Sequence, residues 1–284
     1  MTVRSIENII RSYPSSDGDG VKIRRLALFN QRDTDPFLML DELVSDDEAD
    51  YMGGFPPHPH RGMETLTYLR KGALIHKDHM GNRGEIRSGG AQWMSAGKGI
   101  IHSEMPELDL GGLHGFQLWI NLPAKDKMSD PAYRDVPKEE IPLVPLASGG
   151  EVRVVAGNWV LEGKEVSGPL DRLAANAAYL DVSLNAGEEL HLPVTGNKRA
   201  VAYVYKGALD TGSISAPQLP EKPLLVFGTK GDELHLKAAT DAQFLLLAGE
   251  PILEPVAHYG PFVMNTQEEI EQAIRDYNSG QFGR

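Results

Sequence analysis

The chain has 284 residues, 41% of them hydrophobic and 24% charged, with a formal net charge of −12 at pH 7. That suffices for one large or two modest globular domains, and the acidic balance argues against nucleic acid as a partner, since Lys22-Ile23-Arg24-Arg25 is the densest basic run. No cysteine is present, which excludes disulfides, thiolate metal sites, iron–sulfur clusters and a cysteine nucleophile.

In chain order, the opening MTVRSIENIIRSYP lacks the apolar core of a signal peptide, and no run of about 18 apolar residues follows it. The expectation is a cytoplasmic protein with no membrane association. Short β-prone runs then recur at Val21–Phe29, Thr65–Leu69, Phe116–Asn121, Val152–Ala156, Tyr179–Leu184, Ala200–Tyr205, Leu224–Phe227 and Phe244–Ala248. Connectors such as Ser88-Gly89-Gly90, Gly111-Gly112 and Asn185-Ala186-Gly187 separate them. Leu190, Leu192 and Val194 alternate with Glu189, His191 and Pro193, the pattern of a half-buried strand. Strands this short and numerous favour an all-β sandwich or barrel.

The acidic run Asp46–Asp50 reads as a solvated loop, because it lacks the glycine and spacing of a calcium loop. One helix is expected near the end. Thr266-x-x-Glu269 is a capping box, Ile270, Ala273, Ile274 and Tyr277 form one apolar stripe, and Gly280 stops it.

The chain also echoes itself. Tyr68-Leu-Arg-Lys71-Gly72-Ala73-Leu74 matches Tyr203-Val-Tyr-Lys206-Gly207-Ala208-Leu209. Lys98-Gly99-Ile-Ile-His102 is echoed by Lys230-Gly231-Asp-Glu-Leu-His235, one residue longer. Two echoes in the same order imply two copies of one β unit. The Pro-rich stretch Val136–Pro145 suits the linker, so residues 1–135 and 136–284 are the expected domains, with the helix in the second.

The chemistry concentrates in two short segments. In His58-Pro59-His60 the imidazoles sit two residues apart, so in an extended chain they point to one side, with Cα atoms roughly 6.6 Å apart. Glu64 shares that parity, and Pro56, Pro57 and Pro59 stiffen the segment. In His102-Ser103-Glu104 a third imidazole and a carboxylate again share a face. On neighbouring strands these would offer three nitrogens and one carboxylate oxygen to a metal at about 2.0–2.2 Å. Fe, Mn, Co, Ni, Cu and Zn all accept such ligands, and ligand type does not choose among them. Either Glu104 or Glu64 could be the carboxylate.

The remaining histidines carry plainer readings. His191 and His235 sit between leucines and should face away from the apolar side. His76 and His79 flank a polar turn and read as solvated, the alternative being a place at a pocket mouth. His114 falls in an expected loop, and His258 precedes Tyr259-Gly260 with no assigned role. No GxSxG elbow, phosphate-binding loop or dinucleotide fingerprint is present.

His58-x-His60-x-x-x-Glu64 with Lys71-Gly72 resembles the first cupin motif, and Gly97-x-Gly99-x-x-His102 the second. More narrowly, HPHRGMETLTYL, SAGKGIIHSE, FQLWINLP and GPFVMNTQEEIEQAIRDYNSGQFG resemble the pirin family over about residues 20–284. The resemblance implies a bicupin, two jelly-roll barrels with a short C-terminal helix. It implies one metal, most often iron(II), held in the first barrel by His58, His60, His102 and Glu104, with Glu64 beside them. It implies catalysis through Glu104 or Glu64, with a flavonol such as quercetin and dioxygen as substrates and loss of carbon monoxide. The alternative it carries is a non-enzymatic, iron-containing redox sensor that binds protein partners. Aligning the echoes puts Pro193 and Thr195 where His58 and His60 stand, and Lys237 opposite Glu104. The second barrel is therefore expected to lack a metal.

Overall fold

The structure is a computed structural model that describes residues 2–29, 31–194, 196–212 and 219–284. The expected strands form, with ends within three residues of the sequence reading. Two compact units result. One comprises Tyr13–Gln31, Phe37–Glu139 and Ile252–Arg284, the other Met1–Ser12, Arg32–Pro36 and Glu140–Pro251.

The first unit carries a seven-stranded antiparallel sheet in the spatial order Ala132–Val136, Ala91–Ser95, Met63–Lys71, Leu113–Asn121, Phe37–Ser45, Val21–Ala27, Tyr13–Asp17. Its second sheet runs Phe55–His60, Ile100–Pro106, Ala73–Asp78, Arg83–Arg87. Val21, Ile23 and Leu43 from the larger sheet pack on Leu74 and Ile86 from the smaller, so the core lies between the two layers. The other unit repeats the plan. Its seven-stranded sheet includes Arg199–Lys206, Ala242–Gly249 and Ala178–Leu184, while Glu189–Pro193 pairs with Glu233–Lys237. Leu180, Val182, Leu192, Leu234, Phe244 and Leu246 fill its core.

Both echoes in the sequence are structural. Gly72 and Gly207 turn at φ of +90° and +70°, and Gly99 and Gly231 stand at +143° and +116°. A side chain is disfavoured at each, so the shared glycines mark shared turns.

The expected domain limits need correction at both ends. Ile6–Arg11 pairs with Pro223–Phe227 and so belongs with the later unit. The helix, observed as Gln267–Asn278 with its capping box intact, belongs with the earlier one. Its Ile270 and Ala273 pack with Phe262, Met264 and Phe282 against Ile101. The amphipathic stripe gave the helix but not its partner, because any apolar groove satisfies a stripe. The junction itself, between Glu139 and Glu140, falls inside the expected linker. The acidic run forms a 3-10 turn over Glu48–Asp50, with Lys22 pairing Asp50 and Lys71 pairing Asp46. Among the described residues no helix is long and apolar enough to cross a membrane.

Candidate metal centre

Phe55–His60 is the outer strand of the four-stranded sheet, which is where three prolines without N–H donors can be accommodated. It pairs antiparallel with Ile100–Pro106, setting His58 opposite His102 and His60 opposite Ile100. The register shifts between His102 and Glu104, so Glu104 comes to face Phe55.

The three imidazoles converge. His58 Nε2 lies 3.1 Å from His60 Nε2, and one nitrogen from each of His58, His60 and His102 falls within 4.8 Å of the others. His58 Nδ1 is 2.8 Å from the Pro56 carbonyl oxygen and His102 Nδ1 is 3.3 Å from His76 Nδ1, which leaves the Nε2 atoms of both rings for the cluster. His102 Nε2 is buried without a hydrogen-bond partner. Burial first, and the His58 imidazole second, push His60 well below the ordinary imidazole range, and burial with the surrounding imidazoles does the same to His102. Three converging imidazole nitrogens, with His60 and His102 held neutral and His102 Nε2 otherwise orphaned, fit a divalent transition metal.

Glu104 is buried nearby but stands outside the trio of converging nitrogens. Gln117 Nε2 donates to its Oε2 at 3.0 Å, and Thr67 Oγ1 lies 3.2 Å from its Oε1. The single Thr67 proton is shared with Gln117 Oε1, which it also contacts.

Glu64 is not brought to this cluster. It lies on Met63–Lys71 opposite Ser95 and Ile120, on the face shared by Leu66 and Tyr68, while Thr65 and Thr67 take the side of Gln117 and Trp119. The parity argument fails because Gly62, at φ +79°, breaks the strand between His60 and Met63.

Several supporting residues escaped the sequence reading. His76, read as solvated, is fully buried, stacks on Tyr133 at 4.9 Å and has its Nε2 3.8 Å from Asp78 Oδ2. It lies on the strand Ala73–Asp78, whose inner face it shares with Leu74. His258 stacks on Phe29 at 4.0 Å. His114 lies on a strand rather than in a loop, 3.3 Å from Glu42. His79 is exposed, as expected, and its Nδ1 accepts from the Ile101 N–H at 3.1 Å.

The segment after His60 is clamped. Arg61 donates to the Lys98 carbonyl at 2.6 Å and to Asp276 of the helix at 2.8 Å, and its guanidinium covers Phe282 at 4.7 Å. A Cβ on Gly62 would sit 2.0 Å from the Val263 carbonyl oxygen. Lys127, wholly buried, donates to Gly62 O, Asn121 Oδ1 and Val263 O at 2.7–3.0 Å. Burial pulls its ammonium down to about 8.

A cavity of about 760 Å³ opens beside the cluster, bordered by His58, His60, Glu104 and Gln117. Phe29, Trp119 and His258 supply aromatic surface, and Trp119 meets His60 edge-on at 5.1 Å. Arg25, paired with Asp41 at 2.6 Å and with Asp17 at 2.5 Å, adds a polar side.

In the other unit the corresponding strand pair turns leucines inward, and His191 and His235 outward as the sequence implied. Pro193 ends Glu189–Pro193, Lys237 pairs with Glu189, and Thr195 lies outside the described residues.

Two cupin domains, one bearing a largely buried imidazole triad at a cavity, make this a bicupin. Its residues 20–120 match the pirin domain and residues 179–283 the pirin C-terminal cupin domain. The chain belongs to the pirin family. It is 50% identical over 279 residues to a Vibrio cholerae protein provisionally named quercetin 2,3-dioxygenase, with 98% of each chain covered. It is 45% identical over 283 residues to a Caulobacter vibrioides pirin-like protein, covering 99% of this chain and 100% of that one. A crystal structure of quercetin 2,3-dioxygenase from Acinetobacter baumannii superposes with a TM-score of 0.88 at 30% identity, covering 99% of both chains.

Proposed function

We propose that this protein is a metal-dependent dioxygenase that opens flavonol-like aromatics such as quercetin, with iron(II) as its resident ion. The observation that carries the reading is three converging imidazoles, two of them buried and held neutral, beside an aromatic-walled cavity large enough for a drug-sized ligand. Relatives provisionally or structurally described as quercetin 2,3-dioxygenases support the substrate class.

His58, His60 and His102 would hold the ion. When bound, it would supply Lewis acidity toward a hydroxyl and one-electron chemistry toward dioxygen. Glu104 supplies the base. Hydrogen-bonded to Gln117 and Thr67 and bordering the cavity, its carboxylate would take the substrate's hydroxyl proton. Glu104 can also complete the ligand set by turning away from those two partners. Trp119, Phe29 and His258 offer flat faces to a planar ring system. Arg25 and Asp41 offer charged partners to its outer hydroxyls.

The test is oxygen uptake with quercetin by iron-loaded protein, beside elemental analysis of the same sample. Uptake that follows iron content and vanishes in His58→Ala supports the proposal; uptake that is absent in the loaded protein, or unchanged in the variant, overturns it.

A further inference from the structure

We infer that the outer face of the Glu189–Pro193/Glu233–Lys237 strand pair is a second, surface transition-metal site, built by His191, His235 and Glu189. Antiparallel register sets His191 directly opposite His235, and their rings lie 4.3 Å apart and nearly parallel, at 13°. The flanking Leu190, Leu192, Leu234 and Leu236 are buried, which fixes both imidazoles on the solvent side.

One carboxylate oxygen already joins the two rings. Glu189 Oε2 is 3.1 Å from His235 Nε2 and 3.7 Å from His191 Nε2. In a tetrahedral site with ligands near 2.1 Å, donor atoms stand about 3.4 Å apart. All three donors already lie within 4.8 Å of one another, and a rotation of the two stacked rings would turn their lone pairs onto a shared ion.

Each of two donors also has an outer partner that aims it. Glu233 Oε1 lies 2.9 Å from His191 Nδ1, so a proton there leaves Nε2 as the free lone pair. Lys237 Nζ donates to Glu189 Oε1 at 2.7 Å, leaving Oε2 turned toward the rings. Binding at His235 Nε2 requires the tautomer with its proton on Nδ1, in place of the one that donates to Glu189, and the fourth position stays open to water. Two imidazoles and one carboxylate suit borderline ions such as Ni(II), Cu(II) or Zn(II) rather than Ca²⁺ or Mg²⁺.

Glu189 and His191 are exposed and His235 is half-exposed on the outer face, so the substitutions that test the site should leave folding intact. Protein carrying its resident metal is dialysed against micromolar Ni(II), and total metal per chain is counted. Amide line broadening over residues 189–193 and 233–237 locates the added ion. Wild-type protein should take one further equivalent, Glu189→Gln should bind it about tenfold more weakly, and the double variant His191→Gln/His235→Gln should lose it. No further equivalent in wild-type protein, or an undiminished one in the double variant, overturns the inference.

Discussion

Two strand pairs in this molecule start alike and end with opposite faces. Each contains a strand that follows a Lys-Gly pair whose glycine has positive φ, and each sets two histidines across an antiparallel ladder. In the first unit His102 lies three residues after Gly99 and points inward, 2% exposed, to join His58 and His60. In the second His235 lies four residues after Gly231 and points outward, with Leu234 and Leu236 taking the inner positions. Because the side-chain period of a strand is two, one added residue exchanges the faces. The same chemistry thus becomes a buried cluster beside a cavity in one unit and a solvent-facing ladder in the other.

The largest expected effect separates the two faces directly. His102→Ala should remove the resident metal and lower quercetin-dependent oxygen uptake by more than about a hundredfold, since outer-shell changes alone reach that size at metal centres. His235→Ala should leave both within about twofold, as expected of an exposed side chain remote from the chemistry. Elemental analysis and an oxygen electrode read both, and equal losses would break the comparison.

Next come the turns that set the phase. Gly62→Ala places a Cβ against the Val263 carbonyl at positive φ and should cost more than about 2 kcal/mol in denaturant unfolding. Gly187, which precedes the outward-facing pair, also has positive φ but open space around it, so Gly187→Ala should cost about 1 kcal/mol.

Glu104 offers a finer test. Gln117→Leu removes the donor on its Oε2 and should slow turnover about tenfold, leaving the metal content of purified protein unchanged. Loss of metal in that variant would instead place Gln117's contribution in holding the ligands.

The last test concerns acid. His60 and His102 have folded pKa values below the unfolded value, so the unfolded chain binds more protons between the two. Metal-free protein should therefore lose stability as pH falls below about 6.5, by at most about 1.4 kcal/mol per pH unit for each ring. Denaturant midpoints on either side of that pH measure it, and a flat profile would contradict neutral burial of these rings.

Much of this was legible in the sequence because strand alternation and motif spacing are local properties. Leu190, Leu192, His191 and His235 revealed their faces by alternation alone, and His58, His60 and His102 by their spacing. Glu64 did not, because parity cannot be carried across a positive-φ glycine. His76 looked solvated because it stands two residues from a polar turn, yet its burial depends on Tyr133, far along the chain. The helix was visible from its cap and stripe. Its docking behind Ile101, with Asp276 clamping Arg61 next to His60, depends on tertiary pairing that periodicity does not encode.

The central claim is that three imidazoles from two paired strands hold one ion. X-ray absorption at the edge of the resident metal in purified protein tests it most directly. The account predicts three imidazole nitrogens at about 2.0–2.2 Å, with ring scattering that falls away in His102→Ala. A metal shell without imidazole scattering, or one unaltered by that substitution, would contradict it.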